Sequence, residues 1–359
     1  MLARLGARLA IGVMVLGSPA IVSVSAQPVQ AAVPNPELSR LLDAGSEAVK
    51  QRRWAEALGL YQQAQLIDGQ DARIASAIGY LYTELGDFRQ AALSFERAIA
   101  MDSQTAAFAF GAATAYANLG EYAAAERYYE QSLRLDNKRA EAYRGLATVQ
   151  QRRGNLVGAI NTYQRWQQLE PNNWQPRNEM GKIYLQQRQF TNALQVLQAA
   201  TRLAPREADI YSNLAIAQLG LNNPRAALTS LQSSISLDPR NPRTLLKAGD
   251  IYLVLGDREA ANRNYRRAFE LNRNSAKTLD RYTQILLDQG DATLATVYLR
   301  DALRLEPRNP DFHLRLGLAY LARGLKPEAR SSLNQAALLY QQRGDFNGQQ
   351  QAAAALRQL

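Results

Sequence analysis

Side chains that could carry out catalysis are scarce in this sequence. Its 359 residues include no Cys and one His, His313. Those counts exclude disulfides, zinc sites built on Cys or paired His, Cys nucleophiles and iron–sulfur clusters. A lone His is more often packed or exposed than catalytic. We therefore expect no catalytic residue, no metal site and no cofactor, and we expect that the protein is not an enzyme.

The acids and glycines do not change that expectation. Glu179 and Asp250 are far apart in sequence, and no predicted pocket would desolvate them and raise a carboxyl pKa for acid catalysis. Pairs such as Gly86-Asp87 suit turns between helices rather than phosphate-binding loops. The chemistry that remains is binding. The formal net charge of +10 favours acidic proteins, anionic polymers or a membrane surface as partners.

The N-terminal segment has the three parts of a secretory signal peptide. Arg4 and Arg8 precede an apolar stretch, and Val24-Ser25-Ala26 offers small residues before Gln27. We predict a cleaved signal at 1–26 and a Pro-containing linker at 27–37, with an uncleaved signal anchor as the alternative. Pro19 and the short apolar run disfavour a spanning helix, which needs about 20 apolar residues. Removing the two arginines takes the charge from +10 to +8.

One interval of 34 residues organises the rest of the sequence. Gly86, Gly120 and Gly154 follow one another at that interval, as do Gly256, Gly290 and Gly324. Between these two runs the 34-residue interval continues without insertion, and Arg188 and Asn222 occupy the positions that correspond to the glycines. Extending it in both directions defines nine units: 38–71, 72–105, 106–139, 140–173, 174–207, 208–241, 242–275, 276–309 and 310–343.

Columns of similar residues keep this frame. Position 8 is small in nearly every unit, as at Gly79, and position 24 is large and apolar, as at Phe95. Position 20 is Ala in all nine units: Ala57, Ala91, Ala125, Ala159, Ala193, Ala227, Ala261, Ala295 and Ala329. The apolar spacing predicts two amphipathic helices per unit, with Gly ending the first and Pro following the second. One such hairpin cannot bury its apolar face alone, so neighbouring units must stack.

The units resemble the tetratricopeptide repeat. They share small residues at positions 8, 20 and 27 (Gly79, Ala91, Ala98), Tyr at 11 (Tyr82), an aromatic at 24 and Pro at 32 (Pro171). The resemblance implies an all-α, right-handed superhelical α-solenoid of nine repeats. Residues 344–359 are expected to add a C-terminal capping helix.

Two departures from the repeat pattern predict local changes. Arg188 stands where most units have Gly and adopts a left-handed conformation poorly, so we expect a differently shaped fifth turn. Trp166 occupies the small position 27 of the fourth unit, and Trp174 follows shortly after it. For both Trp residues a repacked core is favoured over a role in binding.

In the resembled family the first helices line a concave groove, and some members bind the terminal carboxylates of chaperone tails through Lys, Asn and Arg side chains. The corresponding candidates here are Asn178, Lys182, Asn213, Arg243 and Lys247. Cations with intervening amides would hold a carboxylate through charge-assisted hydrogen bonds. Glu179, Asp209 and Asp250 could instead neutralise the cations and leave a solvated groove. Arg144 and Arg152 are further groove candidates.

These observations favour an exported bacterial scaffold, without catalytic activity, that assembles an envelope complex by binding peptide tails or helices of envelope proteins. The predicted location is the periplasm, with the thylakoid lumen or a membrane-anchored form as alternatives. Alternative functions are a subunit of a polysaccharide synthesis or export machine, which would contact an anionic polymer, and an assembly factor for a photosynthetic membrane complex. Nucleic acid is disfavoured as a partner by export, and contact with a membrane would be peripheral at most.

Overall fold

The computed structural model describes residues 35–359, and that part of the chain is helical throughout, with no strand. The predicted all-α fold of stacked helical repeats is confirmed. The helices are α1 (Pro36–Lys50), α2 (Trp54–Ile67), α3 (Ala72–Leu85), α4 (Phe88–Met101), α5 (Ala106–Leu119), α6 (Tyr122–Leu135), α7 (Ala140–Arg152), α8 (Leu156–Leu169), α9 (Gln175–Gln186), α10 (Phe190–Leu203), α11 (Ala208–Gly220), α12 (Pro224–Leu237), α13 (Pro242–Val254), α14 (Arg258–Leu271), α15 (Ala276–Asp288), α16 (Ala292–Leu305), α17 (Pro310–Ala322), α18 (Lys326–Arg343) and α19 (Phe346–Leu356). The predicted signal peptide at 1–26, and the predicted linker up to residue 34, lie outside the described residues.

The described chain divides into two compact units, residues 35–180 and 181–359, and the division falls within α9. Odd-numbered helices from α1 to α17 are the first helices of the repeats, and even-numbered helices are the second helices. Among the helices that lie wholly within one unit, a first helix packs on its own second helix, and that second helix packs on the next first helix. Burial is therefore shared between neighbouring repeats, as the sequence period requires.

Small residues let the paired helices approach closely. The nine position-20 alanines are completely buried. Most position-24 side chains are nearly or fully buried beside them, and Tyr129 and Tyr265 have no exposed surface. A Cβ atom at Gly79 would lie 3.0 Å from the ring of Phe95. The large ring at position 24 thus fills space that the small residue at position 8 leaves open.

The turn between paired helices depends on one left-handed residue. Gly86 has a φ of 81°, its N–H donates to the Thr83 carbonyl, and the N–H of Asp87 donates to the Tyr82 carbonyl. This hydrogen-bond pair closes the first helix of the second repeat. Asp87 then accepts a hydrogen bond from the Gln90 N–H and caps the second helix.

The expectation of a differently shaped fifth turn is wrong. Arg188 adopts the same left-handed conformation, with a φ of 58°, and its N–H donates to the Leu185 carbonyl at 3.1 Å. The N–H of Gln189 donates to the Tyr184 carbonyl at 2.8 Å, as Asp87 does in the second repeat. Packing of the two helices therefore fixes the turn and imposes the strained conformation on a residue with a Cβ atom.

Polar side chains connect one repeat to the next in repeating positions. The position-11 Tyr hydroxyl pairs with the position-25 side chain of the preceding repeat: Tyr82 with Gln62, Tyr116 with Glu96, and Tyr320 with Arg300. Position-4 side chains form a second set of links: each hydrogen-bonds to the backbone carbonyl six residues earlier, at the end of the preceding repeat. These side chains are Tyr143, Arg177, Tyr211 and His313. The single His therefore occupies a column whose members fasten a first helix to the loop before it.

An irregular residue inside the repeat pattern and the C-terminal end of the pattern are each accommodated locally. Trp166 is 3% exposed and its Nε1–H donates to Glu170 at 2.7 Å, as expected of a repacked core. At the C-terminus, Ala352 and Ala355 of α19 pack with Leu333 and Tyr340 of α18 in one apolar cluster. The helix α19 thus covers apolar surface that a further repeat would otherwise cover.

Candidate functional site

Three of the predicted groove residues lie on neighbouring first helices of the second unit. Arg243 and Lys247 are one turn apart on α13, and Asn213 is on α11. The Nζ of Lys247 donates to the Oγ of Ser212, also on α11, at 2.8 Å. Lys247 therefore spans the two helices, and its charge lies at the junction between the sixth and seventh repeats.

The charge of Lys247 is poorly compensated. Burial lowers the pKa of Lys247, the Asp209 carboxylate acts in the opposite direction, and the cations Lys277 and Arg243 lower the pKa further. Lys277 is on α15 at position 2, the column that Arg243 occupies in the preceding repeat. Sequence analysis overlooked Lys277, although that shared column was a usable signal. The three cations form what we call the α13 cationic cluster: Arg243, Lys247 and Lys277.

Other charges on the first helices of the second unit have partners. Asp250 accepts a hydrogen bond from the Tyr265 hydroxyl at 2.7 Å and pairs with Arg281 at 3.1 Å. Asp280 pairs with Arg315 of the next first helix. Asp250 is thus paired with Tyr265 and Arg281, and Asp209 is the carboxylate that acts on Lys247 of the α13 cationic cluster. Among residues 35–359, neither Arg243 nor Lys277 has a salt bridge within 4.0 Å.

Exposed apolar side chains lie toward the C-terminal ends of the same first helices. Leu253 is 39% exposed and Val254 is 64% exposed on α13, and Leu219 of α11 is 36% exposed. We call the exposed surface of the first helices the first-helix face. In the second unit this face combines cations toward the N-terminal ends of the helices with apolar groups toward the C-terminal ends. An acidic segment with its own apolar side chains would complement both.

The remaining predicted residues are placed as follows. Asn178 lies in the first unit and is 3% exposed, whereas Lys182 is exposed in the second unit. Their grouping with Asn213, Arg243 and Lys247 stays a prediction. Arg144 and Arg152 both lie on α7 of the first unit, Arg152 exposed and Arg144 half-buried.

Net positive charge is concentrated in the second unit. Residues 181–359 contain 24 Lys and Arg against 15 Asp and Glu, a net charge of +9. Residues 35–180 contain 16 against 17, a net charge of −1. An anionic partner is therefore attracted to the second unit over distances of about a Debye length, roughly 8 Å at physiological salt.

Two further properties concern residues 35–359 alone. In this range no three His, Cys, Asp or Glu side chains are grouped so that they could hold a metal ion. None of the helices in the same range combines the length and the apolar character needed to cross a bilayer.

Stacked helix pairs with an open, mixed polar and apolar face define a helical-repeat interaction protein. Models described as tetratricopeptide repeat match residues 76–138, 110–173, 284–348 and 242–275, and one described as TPR repeat matches 181–222. These matches together cover more than half of the chain, which therefore belongs to the tetratricopeptide repeat family. The fold and family are those of a protein-interaction scaffold.

Known relatives agree with this assignment. A TPR repeat-containing protein of Picosynechococcus sp. is 40% identical over 53 residues, which are 15% of this chain and 14% of that protein. The chain thus matches only a small part of this curated relative. The C-terminal part of a TPR repeat-containing protein from Cytophaga hutchinsonii has a TM-score of 0.59 at 16% identity, covering 67% of this chain and 98% of that one. A tetratricopeptide repeat protein from Parabacteroides merdae has a TM-score of 0.51 at 13% identity, covering 70% and 99%. At these identities the structures show the fold alone.

Proposed function

We propose that this protein is a non-enzymatic scaffold of the cell envelope that holds acidic segments of partner proteins on the first-helix face of its second unit. The observation that carries the proposal is the α13 cationic cluster. Lys247 is partly buried, and both its burial and the positive charges of Lys277 and Arg243 lower its pKa, whereas the Asp209 carboxylate raises it. Like charges held close together disfavour the charged form of each group.

A bound carboxylate would relieve this repulsion. It would accept charge-assisted hydrogen bonds from Lys247 and Arg243, and such bonds are shorter and stronger than neutral ones. The partner's apolar side chains would cover Leu253 and Val254 and so exclude water near the cations. Acidic groups therefore supply the specificity, and apolar contacts supply a further part of the binding free energy.

The envelope location is supported by the sequence of the N-terminal segment. Arg4, Arg8, the apolar stretch and the small residues before Gln27 follow the pattern of an exported protein. N-terminal sequencing of the protein purified from its native cell should give Gln27 as the first residue. A protein that keeps Met1 and remains in the cytoplasmic fraction would contradict the location and leave the binding proposal standing.

Selection from a random-peptide display library tests the binding proposal directly. Peptides retained by the full chain should be enriched in Asp and Glu next to apolar residues. The double variant Arg243→Gln/Lys247→Gln should lose them. The control Arg225→Gln/Arg258→Gln removes the same charge from exposed positions on the second helices α12 and α14 and should keep them.

Two results would contradict the proposal. One is a selected set without acidic enrichment. The other is equal retention by both double variants, since the α13 cationic cluster would then contribute nothing beyond net charge. Comparing each selected peptide with a free and an amidated C-terminus separates recognition of a terminal carboxylate from recognition of acidic side chains.

A further inference from the structure

The positive charge of the second unit lies mainly on its second helices. The helices α10, α12, α14, α16 and α18 contain 11 Lys and Arg against 4 Asp and Glu, a net charge of +7 out of the +9 that the unit carries. All 11 of these cations are exposed. In the first unit the second helices α2, α4, α6 and α8 contain 5 against 4, a net charge of +1. We call the exposed surface of the five helices in the second unit the second-helix face.

Three arginines of α14 come together on this face. Arg266 and Arg267 follow Arg263 by three and four residues, so the three side chains project from one side of the helix. With Asn264 and Glu270 they line an open concavity of about 390 Å³. Like charges at this spacing on a helix repel one another. An anion in the concavity would therefore relieve the repulsion among three guanidinium groups.

The acids of α14 compensate these arginines only weakly. The Nη1 of Arg263 is 3.8 Å from a carboxylate oxygen of Glu259, and the Nε of Arg266 is 3.8 Å from one of Glu270. Both distances are too long for a hydrogen bond. All four side chains are more than half exposed, and ion pairs exposed to this degree contribute little. The arginines can therefore exchange these acids for an external anion.

The neighbouring second helix extends the basic surface. The Nη2 of Arg267 donates to the carbonyl of Pro239, just beyond the end of α12, at 3.0 Å, so the two helices lie close together there. The helix α12 contains Arg225 and no acid. It also exposes hydroxyl and amide groups: Thr229, Gln232 and Ser236. Cations and uncharged hydrogen-bonding groups are thus combined on one surface.

The composition of this surface favours a hydrophilic anion as its occupant. The exposed large apolar side chains of α12 and α14 are Leu237 and Leu271, each the last residue of its helix. A protein partner would require an apolar core in the interface, and a helix that lies on a membrane would require an apolar face. Guanidinium groups bind carboxylates through paired hydrogen bonds, and hydroxyl and amide side chains can hydrogen-bond to sugar hydroxyl groups.

We propose that the second-helix face, centred on Arg263, Arg266 and Arg267, binds a linear acidic polysaccharide. The carboxylates of the polymer pair with the arginines, and its hydroxyl groups bond to the uncharged polar side chains between them. This inference goes beyond the proposed function, because acidic segments of partner proteins are held on the first-helix face. The protein could then hold a protein partner and a polymer chain at the same time.

Binding of alginate, a linear chain of uronic acids, to the full chain tests the proposal, with uncharged dextran as the comparison. Interferometry on the immobilised protein should show alginate binding that weakens as salt is added, and no binding of dextran. Arg263→Gln/Arg266→Gln should weaken alginate binding about tenfold. The control Arg89→Gln/Arg127→Gln removes the same charge from exposed positions on the first-unit second helices α4 and α6. It should change the affinity by less than about twofold.

Equal losses in these two double variants would overturn the proposal, because net charge alone would then account for the binding. Unchanged affinity in Arg263→Gln/Arg266→Gln would overturn it as well. Binding of vesicles of phosphatidylglycerol in phosphatidylcholine, without binding of alginate, would assign the face to lipid headgroups and exclude the polysaccharide.

The variant Arg243→Gln/Lys247→Gln separates this proposal from the proposed function. It should lose the selected acidic peptides and keep the affinity of the parent chain for alginate. Alginate binding that persists when no acidic peptide is selected would support the second-helix face and contradict only the proposed function. Loss of alginate binding in Arg243→Gln/Lys247→Gln would place the polymer on the α13 cationic cluster and overturn its assignment to the second-helix face.

Discussion

At the scale of single residues, the turns within the nine repeats show how much strain the stacked helices can impose. Six of these turns place Gly in the left-handed region, and three place Arg52, Arg188 and Asn222 there with φ values of 56–58°. A left-handed residue with a Cβ atom costs roughly 1–2 kcal/mol, and Asn is the best tolerated. The two arginines therefore adopt an unfavourable backbone conformation that the fold tolerates.

Replacing Arg188 with Gly should stabilise the second unit. The Cβ penalty disappears, and the greater backbone freedom of Gly in the unfolded chain offsets part of the gain. We expect an increase of about 1 kcal/mol in unfolding free energy, measured by urea denaturation. Gly256→Arg, the reverse change at the equivalent position, should destabilise by a similar amount. A destabilised Arg188→Gly would show that the arginine side chain makes a stabilising contact that outweighs the strain.

Two helical glycines should respond to Ala with opposite signs. A Cβ atom at Gly145 would overlap the ring of Tyr129, whereas one at Gly59 of α2 would meet nothing within 4 Å. Gly145→Ala should destabilise by about 1–3 kcal/mol through overpacking. Gly59→Ala should stabilise by about 0.5–1 kcal/mol through helix propensity. Thermal unfolding of both variants checks the contrast, and a tolerated Gly145→Ala would mean that the Tyr129 ring can move aside.

At the scale of helices, the α13 cationic cluster depends on how three first helices are placed together. Lys247 reaches Ser212 on α11, and Lys277 approaches from α15, so no single helix contains the cluster. The burial that lowers the pKa of Lys247 is a property of the packed helices. An acidic ligand would oppose that shift and raise the pKa of Lys247 again.

Binding of an acidic peptide should therefore weaken as pH rises. The protonated form of Lys247 binds the carboxylate, so affinity is highest below the pKa of the free protein. It falls as pH passes through that value and levels off above the pKa of the complex. Titration calorimetry between about pH 7 and pH 10 measures the profile. Lys247→Arg keeps the charge throughout this range and should flatten it, and an unchanged profile in Lys247→Arg would exclude Lys247 as the titrating group.

The 34-residue frame predicted the helix pairs and the buried alanine column because both follow directly from residue spacing. It also placed Arg243 and Lys247 on one first helix. The left-handed Arg188 escaped prediction because local preference opposes the conformation that packing imposes. The hydrogen bond between Lys247 and Ser212 depends on side-chain rotamers and on contacts between repeats. Column positions alone do not specify those contacts.

At the scale of the whole molecule, charge is distributed unevenly between two units built from the same repeat. The second unit carries +9 and the described part of the first carries −1. The scaffold columns are shared by both units, so this difference lies in residues that the fold leaves variable. In repeat proteins, binding specificity comes from these variable residues, since the residues that form the scaffold are the same in each repeat.

Site-specific photo-crosslinking in the native cell tests the central claim most directly. A photoreactive residue at Gln284, an exposed and uncharged position on α15, samples the first-helix face of the second unit, and one at Arg225 samples the exposed surface of a second helix. We predict a discrete protein adduct from position 284, absent from position 225 and lost when Arg243→Gln/Lys247→Gln is introduced. Adducts formed equally from both positions, or an adduct from 284 that survives the double substitution, would contradict binding through the α13 cationic cluster.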